Sequence, residues 1–373
     1  MKVICFDIEC TISNKGQPFD TTNKLVSVAW TDGTTSHCTT PENLAPFLTD
    51  LQCADILIGF NIKFDINWLR RYGVSFDDKR VYDCQLAEYI IRRQRIKYPS
   101  LAGCLETYGL DGKLDIVKEE YWKKNIDTDK IPWEILARYN IVDVEQTFKV
   151  YQLQQELLSP LQKRLVALCC ADLMTLQEME FNGLPVDLER CQHKSTEILK
   201  EIAIVTNELA SKYPHVPINF NSTDNLSAFL YGGTIEEERR EVAGLYKTGN
   251  KIGQPRFRIN RIEHTLAGLV KPIEGSELQK PGMYSTSEDV LKKIKDKTGV
   301  IANLLKLAGL TKINEFFEGF MRIHKDMNWP PNRIHGQFNQ VTTWTGRLSS
   351  TKPNLQNMCP EIQECVRSEY GQT

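Results

Sequence analysis

The sequence predicts an α/β domain, a mixed sheet with flanking helices, followed by a mainly helical region. Three observations carry this. Apolar runs of strand length, VICFDIE and ADILIGFN, stand early in the chain and are bounded by turn residues. Helical patterns alternate with them, as in a sheet covered by helices. From Tyr82 onward the pattern turns mostly helical, and after Leu158-Ser159-Pro160 the helical segments are long.

In VICFDIE, the period of two puts Val3, Cys5, Asp7 and Glu9 on one face and Ile4, Phe6 and Ile8 on the other. LVSVAWTDGTTSHCTT reads as two strands joined at Asp32-Gly33, a strong hairpin dipeptide. TPENLAPFLTDLQ reads as a helix capped by Thr40, with Pro41 in its first turn. ADILIGFN is a buried strand, and KFDINWLRRYG a helix that stops at Gly73. PWEILARYNIVDVEQTFKVYQLQQELL is one long helix with Pro132 near its start. Beyond Pro160, LQKRLVALCCADLMTLQEMEFNGLPVD and LERCQHKSTEILKEIAIVTNELASKY are helical patterns. Residues 233–283 are polar, rich in glycine and charge, and poorly periodic. Helices resume at SEDVLKKIKDKTG and VIANLLKLAGLTKINEFFEGFMRIHKD, and the stretch from Pro330 is loop-rich. The expected division is 1–157, 158–329 and 330–373.

The 373 residues allow two or three domains, and 41% hydrophobic with 25% charged residues fits a soluble globular chain. The net charge of -2 gives no global signal for nucleic acid, although a local basic groove can hide in a neutral total. Eleven cysteines, odd in number and without a C-x-x-C pair, suggest neither a disulfide framework nor a zinc site; a reducing cytoplasm fits. No apolar run is long enough to span a membrane, and the first residues carry no signal-peptide pattern.

Asp7 and Glu9 then pose a question. Two carboxylates on one face of an apolar strand are costly unless compensated. A divalent cation would compensate both; a strand end facing water would tolerate them. Asp65 stands close to the start of a helix, just after an apolar strand. Asp143 lies on a helix, with Tyr139 four residues earlier on the same face.

This ordered set resembles the tyrosine subtype of the DEDD superfamily of 3′–5′ exonucleases, over roughly the first 155 residues. FDIE matches the first motif, NIKFD the second and YNIVD the third. The histidine subtype would need His at position 138, which is Arg138. The resemblance implies a ribonuclease H-like sheet and a site holding two Mg²⁺ (or Mn²⁺) ions. Hard cations take carboxylate oxygens, and a pair about 3.5–4 Å apart activates water and stabilises the leaving oxygen. It implies that Asp7 bridges the ions, Glu9 and Asp143 complete one shell, Asp65 serves the second ion, and Tyr139 orients the attacking water. Asn61 and Lys63 belong to the second motif and are expected to help place the strand terminus, with a solvated loop as the alternative for Lys63. Asp83 reads as a helix cap, with a spare carboxylate as the alternative, and Trp68 and Leu69 read as core.

Farther on, TTWTGRLSSTKPNLQNMCP offers an arginine, hydroxyls and primary amides, groups that contact phosphates and minor-groove edges. It resembles the TGRLSS…PNLQN signature of family A DNA polymerases, and LQEMEFNGLPVD, INFNSTDNLSAFLYGG and YSTSEDVL resemble that family's palm-entry and thumb segments. The resemblance implies that Arg347, Asn354, Gln356 and Asn357 contact the primer end. It also implies that the chain stops before the polymerase's own metal-binding acids. The expected partners are therefore a single-stranded 3′ end, a primer–template duplex, and a C-terminal polymerase chain supplying fingers and the remaining palm, as in a naturally split enzyme, with a trimmed chain or a truncated gene as the alternatives. The loop YKTGNKIGQPRFRINRIEH is expected to grip the duplex backbone through Arg256 and Arg258, with an ordinary solvated hairpin as the alternative. The leading function is a proofreading exonuclease. Its competitors are an idle DNA-binding assembly subunit and a free-standing nuclease resembling RNase D; the polymerase signature argues against the latter.

Overall fold

The computed structural model describes residues 2–110, 112, 116–249 and 251–367. It divides into two compact units, residues 1–191 with 319–373, and residues 192–318. The first unit is built on a five-stranded mixed sheet of β1 (Val3–Cys10), β2 (Leu25–Thr31), β3 (Ser36–Thr39), β4 (Ile56–Gly59) and β5 (Arg80–Asp83). The order is β3-β2-β1-β4-β5. β1 runs antiparallel to β2 and parallel to β4, which in turn runs parallel to β5. The sheet is flanked by α1 (Ala45–Cys53), α2 (Ile62–Arg71), α3 (Cys84–Ile91), α4 (Leu101–Tyr108), α5 (Ile116–Glu120), α6 (Trp133–Leu157) and α7 (Pro160–Asn182).

The two-residue alternation in β1 decides where the sheet is sealed. Ile4, Phe6 and Ile8 are all buried on one face. Phe6 meets Phe47 of α1 edge-on at 5.7 Å, and Trp30 of β2 meets the same ring at 5.4 Å. On the other face Cys5 is fully buried, whereas Asp7 is half-buried. The register explains the change. β1 pairs with β4 only over Val3–Cys5, so its last residues run past the end of β4 and lose that neighbour.

The hairpin turn falls where Asp32-Gly33 predicts. The Asp32 carboxylate accepts from the Thr34 and Thr35 N–H groups at 2.8 and 2.9 Å. Gly33 has φ +88, and a Cβ there would strike Phe148. α6 and α7 are separated by Ser159-Pro160, which forms a capping box. The Ser159 hydroxyl accepts from the Gln162 N–H, and the Gln162 side chain accepts from the Ser159 N–H.

A two-residue strand, β6 (Leu184–Pro185), precedes α8 (Leu188–Ala210). The second unit holds most of α8, then α9 (Thr223–Tyr231), β7 (Gly233–Leu245), β8 (Pro255–Leu266), α10 (Glu288–Leu291) and most of α11 (Val300–Asp326). Val205, Leu209, Phe229, Leu230 and Leu304 form its core. β7 and β8 make a long antiparallel ribbon anchored at its root by Ile235 and Leu266, which pack with Ala228. The chain then returns to the first unit with β9 (Arg333–Ile334, paired with β6), β10 (Gln337–Asn339), β11 (Ser349–Thr351, paired with β10) and α12 (Pro360–Gln363).

Several expectations need correcting. The first helix begins at Ala45, after a short 3₁₀ turn, and Thr40 makes no side-chain cap bond. SEDVLKKIKDKTG is helical only over Glu288–Leu291. The aperiodic 233–283 region contains the ribbon. The compact units are a division by packing, drawn on other lines than the expected 1–157, 158–329 and 330–373, which they do not test. α7 packs on α2, α3 and β5, so it joins the sheet rather than the segment that follows it. All eleven cysteines are free thiols. Among the described residues, no helix is long and apolar enough to cross a membrane.

Candidate active site

The overhanging end of β1 carries Asp7 and Glu9, paired with Ala29 and Ser27 of β2. These small partners leave the face clear for α6, which packs across β1 and β2. The Asn140 amide donates to the Ser27 hydroxyl at 3.3 Å, and the Ser36 hydroxyl donates to Glu145 at 2.7 Å. Both bonds hold α6 on the sheet. The result brings one carboxylate oxygen each of Asp7, Glu9 and Asp143 within 4.8 Å of one another.

Tyr139 lies one turn before Asp143 and is almost fully buried, its ring edge-on to Trp122 at 5.9 Å. Burial pushes its phenol up, and the charges of Asp143, Glu9 and Asp7 and a hydrogen bond to Asp143 add to that. Tyr139 therefore keeps its proton and donates to the Asp143 carboxylate.

Asp65 reaches the site from the first turn of α2. It is not one of the three clustered carboxylates but lies close enough to feel the charge of Asp7. Burial, and then the Asp7 charge, raise its carboxyl well above the ordinary range, while a hydrogen bond from the Ile8 N–H opposes the shift. Without a cation, this site thus holds more negative charge than it can solvate. Cys5 and Cys10 flank the acids. Burial pushes both thiols up, so they stay neutral and the available donors are carboxylate oxygens. Such a donor set fits a hard divalent cation.

Asp83 has a different task. One of its oxygens accepts from the Ile62 N–H at 2.9 Å, the other from the Leu86 N–H at 2.9 Å. One carboxylate so caps both α2 and α3 and fixes the start of the helix that carries Asp65. Burial raises its pKa. Asn61 precedes α2 in left-handed conformation and is exposed.

Lys63 is engaged elsewhere. Its ammonium pairs with Glu180 of α7 at 2.6 Å and donates to the Phe338 carbonyl. Glu180 is 5% exposed and also accepts from the Phe338 N–H at 2.6 Å and the Asn67 amide at 3.3 Å. Gln177 donates to Asn67, and Arg70 donates to Gln177 and Glu178. Three polar residues of α2 are thereby tied to α7. The signal for Glu180 was present in the sequence: it continues the buried stripe of Val166, Cys170, Leu173 and Gln177 at helical spacing.

The other expected contacts are separate from the carboxylates. Arg347, Gln356 and Asn357 are exposed on or beyond the 341–349 loop. The Asn354 side chain accepts from the Gln356 N–H at 3.1 Å, so its amide shapes the turn. Arg256 and Arg258 stand exposed on β8, in the second unit.

Comparison with known proteins gives two family matches. Residues 1–159 match the family described as 3′–5′ exonuclease, and residues 247–373 match DNA polymerase family A. DNA polymerase I of Bacillus subtilis (strain 168) is 27% identical over 321 residues, covering 82% of this chain and 30% of that protein. The DNA polymerase of Bacillus phage SP01 is 26% identical over 329 residues, covering 84% and 35%. The chain thus spans about a third of the length of these relatives. The POL domain of Pol1 from M. smegmatis, solved with DNA primer-template and dNTP, shares the fold. Its TM-score is 0.63 at 18% identity, with 97% of this chain and 54% of that one covered.

Proposed function

We propose that this chain, which carries a 3′–5′ exonuclease domain and a region of the family A DNA polymerases, removes nucleotides from DNA 3′ ends in a divalent-metal-dependent reaction. The observation that carries the reading is the convergence of Asp7, Glu9 and Asp143, with Asp65 alongside. When bound there, two Mg²⁺ or Mn²⁺ ions would supply an activated water and stabilise the departing 3′ oxygen. Asp7, Glu9 and Asp143 would hold the ions together, and Asp65 would serve the second. Tyr139, kept protonated by burial, is suited to orient a water with its hydroxyl. Asn61, exposed at the head of α2, would meet the strand terminus in this reading. Lys63 acts in this reading through α2, because its ammonium is already committed to Glu180.

The polymerase-like portion would hold the primer–template, with Arg347, Asn354, Gln356 and Asn357 toward the primer end. No residue of this chain is assigned to nucleotide addition, so we assign extension to further family A segments, on a partner polypeptide in the split-enzyme reading. A DNA enzyme of this kind would work in the cytoplasm, in the host's if phage-encoded. The test is a 5′-labelled primer on a template with Mg²⁺ and dNTPs. Shortening without extension is expected. An intact primer would favour the idle DNA-binding subunit, and extension by the chain alone would contradict the assignment of its polymerase part.

Arg256 and Arg258 supply backbone contacts in the same reading. The Arg256→Ala/Arg258→Ala variant should lower the salt dependence of duplex binding by about 2 in the log–log slope, near 0.9 per phosphate contact. An anisotropy titration across salt concentrations reads this directly, and an unchanged slope would remove the ribbon from the DNA interface.

A further inference from the structure

α7 has two unlike faces. One is the buried stripe of Val166, Cys170, Leu173, Gln177 and Glu180, which lies toward the sheet. The other carries Leu161, Leu165 and Leu168, spaced by four and then three residues, so that they form one row along the helix. At 3.6 residues per turn, Leu168 stands about 160° round the helix from Cys170, well away from the core. These leucines are 74%, 43% and 61% exposed. A single exposed leucine needs no explanation, but a row of three within two turns marks a contact surface.

Matched charges stand in the same row. Arg164 and Asp172 are both exposed, and among the described residues neither forms an ion pair. Arg164 comes four residues before Leu168 and Asp172 four residues after it, one turn to either side. About 12 Å of helix separates them, too far for a bond within one chain. Each therefore needs its opposite charge from elsewhere.

A second copy of α7 supplies both, when laid antiparallel across a twofold axis at Leu168. Each position then faces the one equally far on the other side of Leu168. Arg164 of each copy meets Asp172 of the other, and Leu168 meets its own counterpart. Leu165 and Leu161 meet the exposed Ala171 and Thr175. Large side chains so face small ones, which lets two helices pack about 8–10 Å apart. A parallel pair would set Arg164 against Arg164 and Asp172 against Asp172. The charge order along α7 is thus complementary to itself in the antiparallel sense alone, as an isologous contact requires. A few turns of one helix per copy make a contact below the standard interface size, so the association is a reversible one.

We propose that the chain pairs with a second copy of itself through the outer face of α7, in a twofold dimer centred on Leu168, with Arg164 of each copy against Asp172 of the other. The pairing does not rest on the exonuclease reading. The experiment is sedimentation velocity of the full chain, without DNA, over a concentration series. Wild type should show a monomer–dimer equilibrium. Leu168→Glu should raise the dissociation constant by about a hundredfold, because the axis brings two copies of the substitution together and removes two leucines from the contact. Arg164→Asp and Asp172→Arg, each alone, set like charges face to face and should weaken self-association about tenfold. An equimolar mixture of these two variants should associate again, since every new charge then meets its opposite. The Arg164→Asp/Asp172→Arg chain should recover the dimer by itself. All three positions are exposed, and circular dichroism checks that the variants fold. A wild type that stays monomeric at every concentration overturns the proposal and assigns the leucine row to a different occupant. A dimer unchanged by Leu168→Glu also overturns it, because another surface would then hold the copies together. Charge variants that weaken the dimer yet fail to restore it when mixed overturn it as well, since Arg164 and Asp172 would not then face each other.

Discussion

Asp7→Ala is expected to lower 3′–5′ exonuclease activity by about a thousandfold or more, since several kcal/mol of charge stabilisation would be lost at about 1.4 kcal/mol per tenfold. Asp7 faces both Glu9 and Asp143, and its charge is felt by Asp65. The check is a gel assay of primer shortening, joined to thermal unfolding with and without Mg²⁺ or Mn²⁺. Wild type should gain about 2.7 kcal/mol at a hundredfold excess of ion over its dissociation constant, and the variant much less. The pH dependence has a definite sign. A carboxyl whose folded-state pKa is raised, as Asp65's is, holds its proton more tightly folded than unfolded. Without a cation, that contribution to stability is present at low pH and is lost as pH rises from the ordinary carboxylate value through the raised one. A cation that takes the proton's place reverses the trend, so the metal-induced gain should grow with pH over that window. A gain equal in wild type and Asp7→Ala would mean that the stabilising ion sits elsewhere.

Glu180→Ala is the substitution with the largest expected effect on stability. It leaves the Lys63 ammonium without its partner and the Phe338 N–H without an acceptor, in a site almost closed to water. Breaking a buried pair in this way costs about 3–5 kcal/mol. Glu180→Gln keeps an acceptor for Phe338 and should lose less. The double variant Lys63→Met/Glu180→Leu removes both charges and should recover much of the loss, which a double-mutant cycle in urea would show. If Glu180→Ala alone unfolded at the wild-type urea midpoint, the pair would have no structural weight.

Where the fold was legible in the sequence, a local rule and the tertiary structure agreed. β1 could be read because its period of two matches a strand buried on one face. The hairpin could be read because Asp32 and Gly33 meet the demands of the turn at their own positions. The order of Asp7, Glu9, Asp65 and Asp143 marked a candidate site, but only folding brings oxygens of Asp7, Glu9 and Asp143 together, because the distances depend on where β4 ends and how α6 lies on the sheet. The ribbon escaped notice for the opposite reason. Glu236-Glu237-Glu238-Arg239-Arg240-Glu241 has no alternation because, beyond its root, neither face is buried. Glu180 was hidden because an acid on a helix is read as surface unless its place in the buried stripe is checked.

The clamp between α2 and α7 bears on modularity. In sequence, nuclease and polymerase portions look like separable units that recombination could exchange at the Ser159-Pro160 break. In the fold, Lys63, Asn67 and Arg70 have their partners on the far side of that break, and Val166 and Cys170 of α7 belong to the core that covers the sheet. A chain ended after α6 would bare that core and leave Lys63 of α2 without its carboxylate partner. The smallest heritable unit of the sheet domain therefore includes α7, and a viable exchange must carry that helix with the sheet.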